Sequence, residues 1–422
     1  TTEIYTLSLH DALPISKANK FKRLISPVRQ IMSYADPNYI KNIGINPEDL
    51  ISFAGGWVNH QAPKELQKAY EEIAANDDLF HRSGGYPPTL GDIEFKKAVI
   101  EFEKHIYSME NLDQNQIAVG LGSTQLAMDL LEVILDPGDK ILLLDPSYCN
   151  YPTQVITGIL DASILRFPVL DDSTWEYSPD SKINEFHEFI LENRPKMILL
   201  ISPDNPTSMV LSDKFITSAL EAAIEIGSFL VIDYAYKEIV FDEAYPRYYS
   251  WEPNDNFISL RSNSKWCRGL GRRLGWVEAP EFVIESMESI QNSTILCPDM
   301  MHQMAMTSYI DTAINNNTLL PYIKDVNKKY HIAAKQTVAS INNNLGFPVL
   351  EPEGGLYTCM KVGSDGGKFV EDVLKETGVL FVPGWGFGRT VKNAVRISYG
   401  PLVNDIEKIN DGFEKVADYL NK

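Results

Sequence analysis

The feature that most constrains the fold is a series of short apolar runs that alternate with amphipathic segments between residues 117 and 277. The apolar runs include KILLLDP, KMILLISP, SFLVIDY and FISLRS, and most are apolar at both odd and even positions. This pattern is typical of strands that are buried on both faces. The segments between them, such as TQLAMDLLEVIL and SDKFITSALEAAIEIG, have helical spacing. The alternation therefore predicts an α/β fold with a mainly parallel sheet flanked by helices.

The rest of the chain divides into segments of different character around this sheet. We expect residues 64–300 to form a large domain, and residues 301–422 to form a smaller α/β domain that begins with a helical stretch to about residue 343. Residues 17–63 are predicted to be an N-terminal arm that packs on the small domain. Residues 1–16, TTEIYTLSLHDALPIS, lack an initiator Met and a clear period, so we expect them to be extraneous or disordered.

The charge and the cysteines limit the possible partners. The chain has 57 acidic and 38 basic residues and a formal charge of -19, which argues against nucleic-acid binding and against docking on an anionic membrane. Its apolar runs are shorter than the roughly 20 residues that a membrane-spanning helix needs. The four cysteines form no CxxC pair. Their spacing predicts reduced thiols in a cytoplasmic protein and no metal site.

Polar residues follow four of the predicted strands at the point where each strand ends. They occupy residues 145–148, 202–205, 233–236 and 262–265. Ligands of open α/β sheets bind outside the carboxyl ends of the strands. We therefore expect these four stretches to line one crevice.

The segment RSNSKWCRGLGRRLGW, residues 261–276, concentrates positive charge in an acidic chain. It contains no carboxylate and five cationic residues, Arg261, Lys265, Arg268, Arg272 and Arg273. Ser262 and Arg273 suit a phosphate group, and the alternative is a solvated basic patch. Lys265 is either a further phosphate ligand or a nucleophile, because neighbouring cations lower the pKa of an amine.

A second anion-binding candidate is the predicted helix start in GLGSTQ. After Gly122, Ser123 and Thr124 would present N–H and hydroxyl donors at a helix amino end, where anions bind. The alternative is an ordinary helix cap.

Further candidates lie elsewhere along the predicted crevice. Asp233 could pair with a protonated ring nitrogen or cap a turn, and Tyr236 and Asn205 could donate to a phenolic oxygen. Tyr148 could stack on a flat ring or belong to the core. Arg396 could bind a substrate carboxylate or lie on the surface.

Together these segments resemble one enzyme family over nearly the whole chain, from about residue 26 onward. The motifs SNSKWCRGLGRRLGW, SPDNPTS, DYAY, GSTQ and VRISY resemble those of the fold-type I, pyridoxal-5'-phosphate (PLP) dependent aminotransferases of class I/II. The resemblance implies the PLP-dependent transferase fold and a PLP cofactor held by Lys265 as a Schiff base. It also implies transfer of an amino group between an L-amino acid and a 2-oxo acid.

The resemblance assigns a role to each candidate residue. Lys265, Asp233 and Tyr236 are expected to be catalytic. The expected cofactor ligands are Ser123, Thr124, Tyr148, Asn205, Asp233, Tyr236, Ser262, Lys265 and Arg273, and the expected substrate ligands are Arg396, Asn205 and Gly56. Tyr86, in GGYPPTLGDIEFKKAV, is expected to reach the cofactor phosphate of a neighbouring subunit, which implies a homodimer.

The closest resemblance is to kynurenine and 2-aminoadipate aminotransferase-like enzymes, through LISFAGGWVNHQAP. The chain departs from the usual pattern in three places: Trp57 replaces a small or aliphatic residue, Ser208 stands where glycine is usual, and KWCRGLGR lacks the proline common in that turn. Two alternative functions remain open at this point. One is another PLP reaction on the same fold, by a decarboxylase, a lyase or synthase, or an amino-acid oxidase, and the other is a non-catalytic effector-binding module.

Overall fold

The computed structural model describes residues 33–159 and 161–422. The expectation for residues 1–16, and the part of the predicted arm before residue 33, lie outside the described residues. The strands, in chain order, are β1 (Ile51–Ser52), β2 (Ile117–Gly120), β3 (Lys140–Asp145), β4 (Ser163–Pro168), β5 (Leu170–Asp171), β6 (Glu176–Tyr177), β7 (Met197–Ile201), β8 (Phe229–Tyr234), β9 (Phe257–Ser262), β10 (Gly275–Glu278), β11 (Tyr357–Lys361), β12 (Val379–Leu380), β13 (Val382–Pro383) and β14 (Ala394–Ser398).

The α-helices surround these strands. In chain order they are α1 (Pro37–Asn42), α2 (Lys64–Ala75), α3 (Asp77–Ser83), α4 (Ile93–Tyr107), α5 (Ser123–Ile134), α6 (Asn150–Gly158), α7 (Ile183–Asn193), α8 (Asp213–Ile226), α9 (Glu281–Thr294), α10 (Met300–Asn315), α11 (Leu319–Asn344), α12 (Gly366–Thr377) and α13 (Ile406–Leu420).

The large domain is built on a seven-stranded sheet of order β2-β10-β9-β8-β7-β3-β4. Five of its strands run parallel to their neighbours in one block, while β10 is antiparallel to both β2 and β9. Successive side chains of β7 enter different cores, with Ile198 and Leu200 on one face and Leu199 and Ile201 on the other. The structure confirms the α/β fold and the two-sided burial that the apolar runs predict.

The described part of the N-terminal arm packs on the small domain. β1 pairs in parallel with β12, and the side chains of Ile51 and Phe53 are buried in the core around the sheet β11-β14-β13. The arm therefore adds apolar residues to the small domain and carries residues 54–61 towards the large one.

The helical stretch after residue 300 connects the two domains. It is broken at residues 316–318, where Asn317 has a positive φ of 56°. Met306 of α10 and Leu319 of α11 pack in the core of the large domain, whereas Val326 and Tyr330 of α11 pack in the small-domain core. The stretch therefore packs in one core at its start and in the other further along α11, and a domain boundary at residue 301 stays a prediction. Helical spacing shows that a face is buried but does not show which core covers it.

No helix in the two described ranges has the length and apolar character that crossing a bilayer would require.

A network of buried charges lies on one side of the sheet, below the end of β9. The guanidinium of Arg261 is fully buried, with Nη2 2.6 Å from Glu103 Oε1 and 2.7 Å from Glu238 Oε1. Lys237 Nζ donates to Glu103 Oε2 at 2.9 Å. Glu278 Oε1 lies 3.7 Å from Arg261 Nε, and burial raises the pKa of Glu278. Each buried charge of this network thus depends on an oppositely charged neighbour.

Replacing Arg261 is expected to destabilise the protein strongly. Arg261→Ala leaves buried carboxylates without their main cation, which should lower the free energy of unfolding by about 3–5 kcal/mol. Lys97→Ala removes an exposed ion pair with Glu94 (2.8 Å) and is the matched control. Lys97→Ala should lower the free energy of unfolding by less than about 1 kcal/mol. Urea unfolding measures the free energy of unfolding of both variants. Equal decreases in the two variants would contradict the role assigned to Arg261.

Candidate active site

A cavity of about 180 Å³ opens at the carboxyl ends of the parallel strands, where the small domain and the arm cover the sheet. All four polar stretches that follow predicted strands contribute to its wall. Its lining includes Gly56 of the arm, Ser123, Thr124, Tyr148, Asn205, Asp233, Tyr236, Ser262, Lys265 and Arg273 of the large domain, and Tyr357 and Arg396 of the small domain.

Lys265 lies in the irregular turn after β9 and extends its amine into this cavity. Its Nζ donates to the carbonyl oxygen of Gly56 at 2.5 Å. Burial, together with the charges of Arg396 and Arg273, lowers the pKa of Lys265 to about 8, although Asp233 acts in the opposite direction. A substantial fraction of the amine is therefore neutral near physiological pH.

Asp233 lies near the end of β8 and lines the cavity. Its Oδ1 accepts from the backbone N–H of Ala235 at 2.9 Å, and its Oδ2 accepts from the Tyr151 hydroxyl. Burial raises the pKa of Asp233 to about 6, and these hydrogen bonds and Lys265 limit the rise. The group therefore remains mainly a carboxylate at neutral pH.

The Arg273 guanidinium lies beside the start of α5. No side chain caps this helix, so its first N–H groups remain available. Gly122, with a φ of +84°, precedes it, and a Cβ there would lie 2.8 Å from Arg273 Nη2. The exposed Arg273 side chain donates to the Leu270 carbonyl at 2.8 Å and lies 3.4 Å from Ser264 Oγ. The glycine thus leaves space for the guanidinium beside an uncapped helix end, an arrangement that suits an anion.

Arg396, on β14, is buried at the small-domain side of the cavity. Its Nη1 donates to Asn205 Oδ1 at 3.1 Å and its Nη2 donates to the Ala54 carbonyl at 2.8 Å. Both partners are neutral, and the buried Nε has no hydrogen-bond partner. The guanidinium also lies 4.4 Å from the centre of the Tyr357 ring. A buried cation without a carboxylate among the described residues is costly unless an anion joins it.

Four tyrosines, Tyr148, Tyr151, Tyr236 and Tyr357, also line the cavity. The hydroxyls of Tyr236 and Tyr357 are 2.8 Å apart, and burial raises the pKa of both groups. They therefore remain protonated donors. Tyr148 is half-buried, and its ring meets that of Tyr151 edge-on at 5.4 Å.

The serine that departs from the usual pattern has a specific contact. Ser208 has a positive φ of 59°, a conformation that favours glycine. Its Oγ accepts from the backbone N–H of Tyr357 at 2.9 Å. The hydrogen bond connects this loop to β11 and offsets the backbone strain.

Two other predicted residues lie outside the cavity wall. Tyr86 is 86% exposed and does not line the cavity of its own chain. Trp57 is 40% exposed, and its indole folds over Gly55, where a Cβ would clash with the ring.

The structure separates the cations of residues 261–276. Arg261 lies in the buried network, Arg268 Nη1 donates to the His60 carbonyl at 2.8 Å, and Arg272 lies 5.2 Å from the centre of the Tyr70 ring. Of the five cations in this segment, all within the described residues, Lys265 and Arg273 line the cavity.

Sequence reasoning missed Tyr151, the hydroxyl donor to Asp233. The available signal was its place in DPSYCNYP, three residues after Tyr148 and in the first turn of the helix that follows the polar stretch after β3.

Comparisons with known proteins agree with this geometry. The family model for aminotransferase class I and II matches residues 49–410. An aspartate aminotransferase from Pyrococcus abyssi is 26% identical over 382 residues, covering 89% of this chain and 93% of that protein. An aromatic-amino-acid aminotransferase 2 from Thermococcus litoralis is 26% identical over 377 residues, covering 87% and 92%.

Solved structures show the same fold. The aspartate aminotransferase from Thermus thermophilus with maleate has a TM-score of 0.80 at 21% identity, covering 93% of this chain and 96% of that one. An aromatic aminotransferase from Pyrococcus horikoshii has a TM-score of 0.78 at 25% identity, covering 88% and 96%. The chain belongs to the aminotransferases of class I and II, which use pyridoxal phosphate to transfer amino groups between amino acids and 2-oxo acids.

Proposed function

We propose that this cavity is the transaminase active site and that Lys265, Asp233 and Tyr236 are its catalytic residues. The observation that carries the proposal is the charge balance of the wall. The cavity is lined by three cations, Lys265, Arg273 and Arg396, and by one carboxylate, Asp233. This excess of positive charge suits two anionic groups, one phosphate and one carboxylate.

The donor set fits the phosphate of PLP. Ser123 and Thr124 begin an uncapped helix, and Ser262 and Arg273 face it across the space that Gly122 leaves open. A helix amino end, hydroxyls and a guanidinium together match a phosphate dianion. We assign these four residues to phosphate binding.

The remaining large-domain residues fit the ring. When bound, PLP supplies an aldehyde that bonds amino groups and a ring that withdraws electrons from the substrate Cα. Asp233 offers an anion for the ring nitrogen, Asn205 and Tyr236 offer donors for its phenolic oxygen, and Tyr148 offers an aromatic face. The Tyr151 hydroxyl holds Asp233 in place.

Lys265 has the properties of a proton carrier as well as of an anchor. Its lowered pKa makes a neutral amine available at moderate pH, so Nζ can take a proton from the substrate Cα and pass it to the cofactor carbon that would receive the amino group. A general base works best when its pKa is near the working pH. The lowered pKa of Lys265 also favours nucleophilic attack by its neutral amine on an aldehyde.

Arg396 is assigned to the substrate α-carboxylate, with Asn205 and Gly56 beside it. A carboxylate would supply the anion that the buried guanidinium lacks in the described chain. Binding it at two points fixes the direction of the Cα–H bond relative to Lys265. The resemblance to kynurenine and 2-aminoadipate enzymes stays a prediction.

We also propose a homodimer in the cytoplasm. Tyr86 is exposed and outside its own cavity, and the nearby Phe80 is 57% exposed, as expected for residues that a second subunit covers. The spacing of the four cysteines, which contains no CxxC pair, is typical of reduced thiols and supports the cytoplasmic location.

Transamination is tested directly with a panel of amino donors and with 2-oxoglutarate or pyruvate as acceptor. We expect a new amino acid from the acceptor and a 2-oxo acid from the donor. Lys265→Ala should abolish this activity and the borohydride-reducible cofactor adduct, because the anchoring amine is gone. Release of ammonia or carbon dioxide without a new amino acid would reject transamination, and survival of the adduct would reject Lys265 as the anchor.

The pKa of Lys265 can be measured in the cofactor-free protein. Only the neutral amine reacts with acetic anhydride, so acetylation of Lys265 should reach half its maximal rate near pH 8. Lys104 is the control, because its hydrogen bond to Glu110 raises its pKa above 10.5. Mass spectrometry of the two peptides gives both midpoints. Coincident midpoints would contradict the lowered pKa.

Mixing inactive variants tests the role of Tyr86 across the dimer. A Lys265→Ala subunit paired with a Tyr86→Ala subunit forms one site that contains an intact Lys265 and, from the partner, an intact Tyr86. Cofactor affinity lost in Tyr86→Ala should therefore return for one site per mixed dimer. If Tyr86 served its own chain, or if the active protein were a monomer in sedimentation, mixing would restore nothing.

A further inference from the structure

His60 connects the three segments that meet beside Lys265. It belongs to the arm and its side chain is fully buried. Its Nε2 is 3.0 Å from the carbonyl oxygen of Trp266, the residue after Lys265, and its Nδ1 is 2.8 Å from the Tyr330 hydroxyl on α11. A carbonyl oxygen only accepts, so Nε2 carries the proton and Nδ1 accepts from Tyr330.

The neighbouring backbone of the arm holds the same turn. The carbonyl of His60 accepts from Arg268 Nη1 at 2.8 Å, and the carbonyl of Gly56 accepts from Lys265 Nζ at 2.5 Å. Residues 56–60 therefore contact the turn at its reactive amine, at the Trp266 carbonyl and at Arg268. A shift of the arm would be transmitted to Lys265 at each of these points.

The turn has a second support on its core side. Trp266 Nε1 donates to Asn263 Oδ1 at 3.1 Å, and the indole packs 5.0 Å from the Phe102 ring. The core thus fixes the side chain of Trp266, whereas His60 contacts its carbonyl. The two contacts together restrict Trp266, the residue next to Lys265, at its side chain and at its carbonyl.

The imidazole stays neutral over the range in which the enzyme would work. Burial lowers the pKa of His60 to about 4, and the charges of Arg268 and Lys329 act in the same direction, while the Trp266 carbonyl and Asp325 oppose them. Its donor and acceptor pattern is therefore the same throughout neutral pH.

We propose that His60 is a positioning residue for Lys265: by holding the Trp266 carbonyl between the arm and α11, it keeps the lysine amine directed into the cavity. The inference rests on the proposed role of Lys265. His60 touches neither the cavity wall nor the reacting atoms, so its effect passes through the turn.

Two substitutions separate the contacts of His60. His60→Gln places an amide N–H near the position of Nε2 and can still donate to Trp266. His60→Asn is shorter and retains a group only near the position of Nδ1. We expect His60→Asn to lower kcat roughly tenfold or more with little change in the KM of the amino donor, because Arg396 is untouched. His60→Gln should stay within about threefold of the unchanged protein.

A readout in the cofactor-free protein separates positioning from general loss of stability. The acetylation midpoint of Lys265 should rise from near 8 towards its usual value in His60→Asn and remain near 8 in His60→Gln. If His60→Asn does not fold, Tyr330→Phe removes only the hydroxyl that orients the imidazole and should raise the midpoint in the same direction.

Variants that lower only the melting temperature, with kcat and the Lys265 midpoint unchanged, would overturn the proposal. Failure of the proposed function is distinguished separately. It would appear as a borohydride-reducible adduct that survives Lys265→Ala in a chain with His60 intact.

Discussion

The parallel pairing of β7, β8 and β9 is the constraint on which the rest of the site depends. Because parallel neighbours end at the same edge of the sheet, Asn205, Asp233 and Lys265 follow their strands into one cavity although up to 60 residues separate them. Burial on both faces keeps this edge rigid, since each strand packs on two cores. The polar groups of the site are therefore positioned by the packing of apolar residues elsewhere on the same strands.

Alternation along β9 and the turn after it then separates charges that are neighbours in sequence. Arg261 and Ser262 point to opposite faces of the sheet, so the guanidinium enters the buried network while the hydroxyl enters the cavity. Two residues of one motif thus have different surroundings: Arg261 lies in the buried charge network, whereas Ser262 lines the cavity and is proposed to bind an anion.

The arm has an unusual part in the site because it contributes mainly backbone. Carbonyl oxygens of Ala54 and Gly56 accept from Arg396 and Lys265, and these are the two cations proposed to bind substrate and cofactor. A neutral carbonyl satisfies such a cation without competing for it as a carboxylate would. The site can therefore be held together in the free protein and still present its positive charge to an anion.

The sequence by itself determined the sheet, the strand ends and the identity of the residues that follow them, because burial on two faces and turn chemistry are local patterns. It also indicated the family, because the family's motifs occur along this chain in the expected order. Only the tertiary structure decided which core covers α10, how Ser208 relieves its strain on Tyr357, and that His60 contacts Trp266 across 206 residues. The physical reason is that helical and strand periodicities report burial along one element, whereas partners in hydrogen bonds and ion pairs are chosen between elements distant in the chain.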